Sequence, residues 1–444
     1  MIQKILNAVE KNKDLVIKAH DYIWANPETG YREWKTTEFL KNEYEKLGYD
    51  VKLAGDIPGF CVEIDIGRVG PKVLILGEMD SLICPSHKDA DPETGAVHIC
   101  GHHAQSAALL GIAAALKEPG ILDDMCGKIV LCAVPAEELI EVEYRSELMK
   151  NGTIKYYGGK PEFLRRGYFD GVDIAFMVHT ASSLSTMQGS VGCIAKKISY
   201  KGVSAHAGGS PWKGVNALYA ANLGLNAINS VRETFKDNEH IRVHPIITHG
   251  GEAVNAIPEF VTMESYVRGL TFEAIEDANK KVNRALAGAA LSLGANVEID
   301  DMPGYSPLTN DQNMIALAGE MAKYAYPDME FKISQSYSTG STDMGDLSSI
   351  MPVVHPYAPG ANERAHCNDY EVLDVELACV TCAKWQTLML WKLLSDNAAY
   401  AKKTIDEFIP RFSSKDEFLT YLDSLESHGK RITYSDNGDA KVRL

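Results

Sequence analysis

Cys100 and His102 stand two residues apart in VHICGHHAQSAALLGIAAAL, just ahead of an Ala- and Leu-rich stretch that reads as a helix. A thiolate and an imidazole at a loop-to-helix junction can converge on one borderline-soft cation such as Zn2+ or Mn2+. In isolation such a pair is more often a buried cysteine beside a helix-start histidine. Glu137 and Glu138 close the apolar run KIVLCAVPAEE, where two adjacent acids are costly to desolvate unless cations compensate them. One carboxylate can ligate while the other takes a proton from water, the division of labour a hydrolytic metal site requires. Capping of the next helix is the competing reading of that pair. His179 ends a third apolar run, DIAFMVH, where a lone histidine is more often structural than a ligand. Delivery of all five residues from separate strand ends or junctions favours one shared centre.

Nucleophilic catalysis is weaker on both counts. No Gly-x-Ser-x-Gly elbow is present. Cys100 at a helix start would have a lowered thiol pKa and could act as a nucleophile, but that scheme leaves the Glu137–Glu138 pair without a task.

The elements that must position these residues follow from hydrophobic patterning. Periodicity predicts helices over Ile5 to Trp24 and Glu33 to Leu47, around an Asn26-Pro27-Glu28-Thr29-Gly30 turn. KVLILGEMD, KIVLCAVPAEE and DIAFMVH are near-continuous apolar runs, the pattern of strands buried on both faces of an α/β sheet. Each ends in polar groups at its carboxyl end, the edge where ligands bind in such sheets. From about Gly192 the order becomes β-α-β-β-α-β, that of a ferredoxin-like split unit. After Pro303 the α/β rhythm resumes, with a strand in FKISQSY, a strand in VVHPYAP and a long helix from Val372 to Leu394. The expected architecture is a mixed, mostly parallel sheet flanked by helices, discontinuous over residues 1–190 and 305–395. Residues 191–304 form an inserted α+β domain, and residues 396–444 a C-terminal extension in which no chemistry is visible.

At 444 residues the chain exceeds one ordinary core, consistent with two domains. With 45% hydrophobic and 23% charged residues it has a globular composition rather than a disordered or fibrous one. A net charge of -16 without a Lys/Arg stripe argues against nucleic acid as a partner. No apolar segment reads as a signal peptide or a membrane span. Nine cysteines, an odd number set mostly in apolar runs, suit reduced thiols, so the expected location is the cytoplasm.

The motifs NPETGYRE, GEMDSL, HICGHH, PAEE, VHT, SAHAGGSPWKGVNAL, NAIPE, STD and AHCNDY occur in this order between about Ile17 and Leu394. Together they resemble the aminoacylase and carboxypeptidase family of two-metal metallopeptidases. The branch is that of hippurate hydrolases, auxin-conjugate amidohydrolases and aminobenzoyl-glutamate hydrolases. The resemblance implies that Cys100 bridges two divalent cations, zinc or manganese, with His102, Glu138, His179 and His366 completing their shells. It also implies that Glu137 is the general base, activating the water between the cations and handing its proton to the leaving amine. The inserted domain would be a lid and homodimerisation module whose His206 polarises the scissile carbonyl in the partner's site. Asn255 and Arg268 would face the substrate's carbonyl or carboxylate.

The implied substrate is a small N-acyl amino acid or aminoacyl conjugate. A dipeptidase or aminopeptidase of the same family and a non-catalytic metal-binding relative are the alternatives. Asp80 and His103 are candidates to support the ligands from behind. The sequence departs from the branch at His103 and Glu78, where Asp is usual, and at LIEVEYRSELMKNG, where glycines commonly follow PAEE.

Overall fold

The computed structural model describes all 444 residues and divides by internal contacts into two units. The first comprises Met1–Gly189, Leu308–Tyr337 and Thr342–Lys415; the second comprises Ser190–Pro307, Ser338–Ser341 and Asp416–Leu444.

In the first unit, strands β1 (Phe60–Asp65), β2 (Lys72–Glu78), β3 (Lys128–Val134) and β4 (Ile174–Phe176) form the middle of a six-stranded sheet. The spatial order is Lys52–Leu53, β1, β3, β2, β4, Val353–Val354. β2 runs parallel to both β3 and β4, and β1 is antiparallel to β3, so the sheet is mixed and mostly parallel. β2 and β3 are buried at every position but their first, which explains their unbroken apolar sequences. Helix α1 (His102–Leu116) is buried along its whole length. Small residues allow this: a side chain at Gly111 would meet Val16 at 2.7 Å.

Several elements break where the apolar pattern runs on, two of them for a clear local reason. The first helical stretch is two helices, Ile2–Lys11 and Lys13–Trp24, because the Asn12 side chain donates to Ala8 O at 2.9 Å and competes with the backbone ladder. VVHPYAP divides into Val353–Val354 and Tyr357–Ala358 at Pro356, which has no N–H for a ladder. The long C-terminal helix opens with a π-helical turn, Glu376–Thr381, before Cys382–Leu394. FKISQSY contributes only two short strands, Lys332–Ile333 and Tyr337–Ser338.

After helices α2 (Val142–Lys150) and α3 (Gly159–Arg165) of the first unit, the second unit is built from β5 (Gly192–Lys201), α4 (Ala217–Val231), β6 (Phe260–Gly269), α5 (Phe272–Ser292) and β7 (Asn296–Tyr305). Its antiparallel sheet has the order Arg242–Val243, β6, β5, β7, and Ile246–His249 also pairs with β6. Pro245 separates the two short strands as Pro356 does in the first unit. Alternate residues such as Ile198, Tyr200, Met263 and Val267 face a core shared with Ala221, Ile228, Val282 and Leu286 of α4 and α5.

Residues past 395 are shared out. Tyr400 Oη donates to Asn313 O at 2.8 Å in the first unit. Ile432 is buried in the second, where Asn296 Nδ2 donates to its carbonyl at 2.8 Å.

Candidate metal centre

Register sets the site. Glu78, the last residue of β2, lies opposite Val134, the last of β3, so Glu78–Asp80 and Glu137–Glu138 leave the sheet at the same edge. After Val134 the chain turns at Ala136, whose φ of +58° is in the left-handed region. Such a conformation costs a non-glycine residue about 1–3 kcal/mol. It is held by the buried Glu33 carboxylate, which accepts the Ala136 N–H at 2.7 Å. Between Cys100 and His102, Gly101 has φ +89°, and a Cβ there would lie 2.7 Å from Tyr370 Oη. Glycine is therefore required to swing the chain into α1 and bring both flanking side chains to one side.

Cys100, His102, Glu137, Glu138, His179 and His366 come together in the first unit. Cys100 Sγ lies 3.4 Å from His179 Nε2 and 3.3 Å from His366 Nε2, and His366 Nε2 is 3.2 Å from Glu138 Oε1. Ligand atoms of Cys100, His102 and His179 are mutually within 4.8 Å, as are those of Cys100, Glu138 and His366. Cys100 thus belongs to both groups. His366 reaches the cluster from a left-handed residue, φ +64°, anchored by its N–H on Ile99 O at 2.8 Å.

The imidazoles are oriented from behind. His179 Nδ1–H donates to Thr180 O at 2.8 Å, which turns its Nε2 lone pair to Cys100. His102 Nδ1 faces Asp80 O and Asp80 Oδ1, both at 3.0 Å, leaving its Nε2 for the cluster. The other oxygen of Asp80 accepts the Glu138 N–H at 2.7 Å. Ring nitrogens fixed in this way are the usual arrangement of metal-ligating histidines.

The charges reinforce one another. Burial and Glu138 push the Cys100 thiol up, but His102 and His179 outweigh them and hold it down at about 6. Burial raises Glu138, and hydrogen bonding and charge from His366 overcome it, leaving about 2. Glu137 behaves oppositely: burial first, then Glu78 and Glu138, raise its carboxyl well above the ordinary range. Hydrogen bonds to Cys100 and Glu138 raise His366 to about 11.

His103, a candidate to support the ligands, turns away from them. Its ring packs at 4.8 Å on His20, 4.9 Å on Trp24 and 5.2 Å on His98, with no hydrogen-bond partner on either nitrogen. Burial pushes it well below the ordinary histidine value, so it is a neutral ring in an aromatic pocket. His206, Asn255 and Arg268 lie in the second unit. His206 Nδ1 accepts the N–H groups of Gly208 and Gly209 at 3.1 and 2.9 Å, leaving Nε2–H as the exposed donor. Asn255 is exposed and its carbonyl accepts the Ala207 N–H at 3.0 Å. Arg268 Nη1 is 3.4 Å from Ser341 Oγ.

Sequence reasoning missed two buried residues. Arg145 lies on α2 (Val142–Lys150), the helix made by the LIEVEYR departure; it donates to Tyr157 O at 2.6 Å and to Glu138 O, filling the space beside Gly30. Lys160 opens α3 (Gly159–Arg165), and its ammonium is paired with Glu78 Oε1 at 2.5 Å and with Asp343. Glu78 was visible as a departure from the branch and Asp343 only as a member of the STD motif; no spacing pointed to Lys160 as their partner.

The residues fit divalent cations. His102 Nε2 and Glu78 Oε2 are buried atoms without a hydrogen-bond partner. Thiolate, imidazole and carboxylate donors together suit zinc or manganese chemistry.

A family model for peptidase family M20/M25/M40 matches residues 74–391. The chain belongs to that family. This M20 protein is a metal-dependent hydrolase of amide or peptide bonds. It is 28% identical over 392 residues to the Xaa-Arg dipeptidase of Mus musculus, covering 85% of this chain and 83% of that one. It is 27% identical over 333 residues to an IAA-amino acid hydrolase of Arabidopsis thaliana, covering 70% and 69%. In fold it resembles a dinuclear metal-binding peptidase of the M20 family from Bacillus subtilis, with a TM-score of 0.63 and 19% identity over 87% of this chain and 99% of that one.

Proposed function

We propose that this M20 hydrolase cleaves the amide bond of a small N-acyl amino acid or aminoacyl conjugate at a centre of two divalent cations, zinc or manganese. Cys100, His102, Glu138, His179 and His366 hold them, with Cys100 shared. When bound, the cations supply Lewis acidity to the amide carbonyl and to water. Glu137 performs the proton transfer: it takes a proton from the attacking water and delivers it to the leaving nitrogen. The observation that carries this reading is the contrast within one dipeptide. Glu138 Oε1 lies 3.2 Å from His366 Nε2, among the candidate ligand atoms, while Glu137 Oε2 stands 3.9 Å from His102 Nε2 at their edge, where a carboxylate can take a proton from water and pass it on. A purely structural metal site has no use for the second carboxylate.

The second unit supports a further part of the reading. Its β-α-β-β-α-β order, with Arg242–Val243 and Ile246–His249 taken as one interrupted edge strand, suits a ferredoxin-like lid that also makes a homodimer, with the exposed Nε2–H of His206 donated to the scissile carbonyl and Asn255 and Arg268 binding the substrate's polar end. Mixing a His206→Ala protein with a Glu137→Gln protein restores partial activity if the two residues serve one site across subunits.

Similarity to an Xaa-Arg dipeptidase favours a second reading, hydrolysis of dipeptides with a free α-amino group. Metal-loaded protein tested on N-acyl amino acids, aminobenzoyl-glutamate and dipeptides, including one ending in arginine, separates the two. Turnover of the acylated substrates is expected; cleavage confined to free-amino dipeptides establishes the second reading, and inertness on the whole panel removes both.

A further inference from the structure

Glu78 stands where the related branch usually carries aspartate, and its carboxylate is divided between two neighbours. Oε1 pairs with the Lys160 ammonium at 2.5 Å. Oε2 lies 3.1 Å from His102 Nε2, the nitrogen left for a cation by the bond of Nδ1 to Asp80. Both side chains are fully buried, 1% and 0% exposed, so water cannot intervene freely. Neither Oε2 nor Nε2 has a hydrogen-bond partner. Two lone-pair atoms facing each other at this distance repel unless a positive centre lies between them. In the metal-free protein a proton on His102 meets that need; in the loaded protein a cation would. One ligand atom each from Glu78, His102 and Glu137 lie within 4.8 Å of one another, a grouping without Cys100 that shares His102 with the Cys100–His102–His179 group.

We propose that Glu78 is a further metal ligand, on the same cation as His102, and that Lys160 and Asp343 fix its carboxylate for that role. The proposal rests on the two-cation reading above. Lys160 is itself fully buried, held from the far side by Asp343 Oδ1, while Asp343 Oδ2 accepts the Lys160 N–H at 2.9 Å. A buried lysine needs such pairing, and removal of either acid would leave an unbalanced charge. The pairing also uses only one oxygen of Glu78, leaving the other aimed at His102. A carboxylate oxygen there makes the two cation positions unlike: one is fed by Glu138 and His366, the other by Glu78, His102 and His179.

The test is a titration of the metal-free full-length protein with Co2+, followed by its visible d–d absorption. The unaltered protein should take up two Co2+. In Glu78→Gln, one of the two binding steps is expected to weaken by about 10–100-fold, with an altered band intensity for that cation, while the other step is unchanged. Two steps with the affinities and spectrum of the unaltered protein would overturn the proposal and leave the two-cation reading standing. Failure of the unaltered protein to take up two Co2+ would overturn both. Should Glu78→Gln not fold, Glu78→Asp retains the charge beside Lys160 but withdraws the oxygen by one methylene. The same step is then expected to weaken, and an unchanged cobalt spectrum overturns the assignment.

Discussion

Asp80 holds His102 through a carboxylate oxygen 3.0 Å from Nδ1, and this contact decides which nitrogen of the ring is left for a cation. The second oxygen of the same carboxylate is bound to the backbone of Glu138, so one buried acid orients ligands from two different elements. Asp80→Asn places an amide where two acceptor oxygens are needed. Metal affinity should fall by about 10–100-fold in competition with a chelating dye. Unchanged affinity would show that the orientation of His102 does not depend on Asp80.

Glu137→Gln removes the proposed base without altering any of the five proposed ligands. Turnover on the best substrate should drop by about 10^2–10^4, while bound metal measured by elemental analysis stays the same. Full turnover would disqualify Glu137 from the proton transfer.

Cation binding should release protons. His366, raised to about 11 by its bonds to Cys100 and Glu138, is an imidazolium at neutral pH in the metal-free protein, whereas Cys100, lowered to about 6, is mostly thiolate. A ligating imidazole must be neutral, so the proton on His366 is displaced and apparent affinity rises with pH until it approaches that value. Calorimetry in two buffers of different ionisation enthalpy measures the number released; at least one is expected at pH 7.

Chelation should abolish hydrolysis, and readdition of Zn2+ or Mn2+ should restore it. Alkylation of the metal-free protein at Cys100 should prevent that restoration, while bound metal protects the thiol. Activity that survives chelation but not alkylation would instead identify a cysteine nucleophile.

The second unit carries its own buried ion pair. Lys196 is bound to Asp301 and, at 2.6 Å, to Asn279 Oδ1; Asn283 Nδ2 donates to Asp301 Oδ2 at 2.7 Å. Burial alone would raise Asp301, but Lys196 and the two amides lower it below the ordinary carboxylate value. For Lys196, burial outweighs the pairing and lowers the ammonium. The two shifts differ in which effect wins, and the carboxylate governs the acid side. A depressed folded value means that its stabilisation is present above the unfolded value, about 3.9, and is lost as pH falls below it. Asp301→Asn should destabilise the protein by about 3–5 kcal/mol in denaturant unfolding, because it strands a buried ammonium. Hydrogen exchange should show the opening in α5 and β7.

Much of the first unit is legible in the sequence because a strand buried on both faces must be apolar along its length, as β2 and β3 are. The prolines at 245 and 356 interrupt ladders that an apolar pattern alone continues, and the side chain of Asn12 divides a helix that periodicity draws as one. His103 shows the limit of motif reading: its position beside a ligand histidine suggested a supporting role, yet the helix turns its ring the opposite way, among His20, Trp24 and His98.

The sequence by itself placed Glu78, Asp80, Glu137, Glu138 and His179 at one edge of the sheet, since apolar runs that end in Asp, Glu and His leave those groups no other place, whereas His366 entered only through the family's motifs. Only the tertiary structure decided how they are held. Asp80 beneath His102 and Glu138, Arg145 behind Glu138, and Lys160 between Glu78 and Asp343 join residues from 7 to 183 positions apart. Periodicity reports which face of an element is buried. It carries no record of which distant charge will meet which within that burial, because the pairing is set by strand register and helix packing.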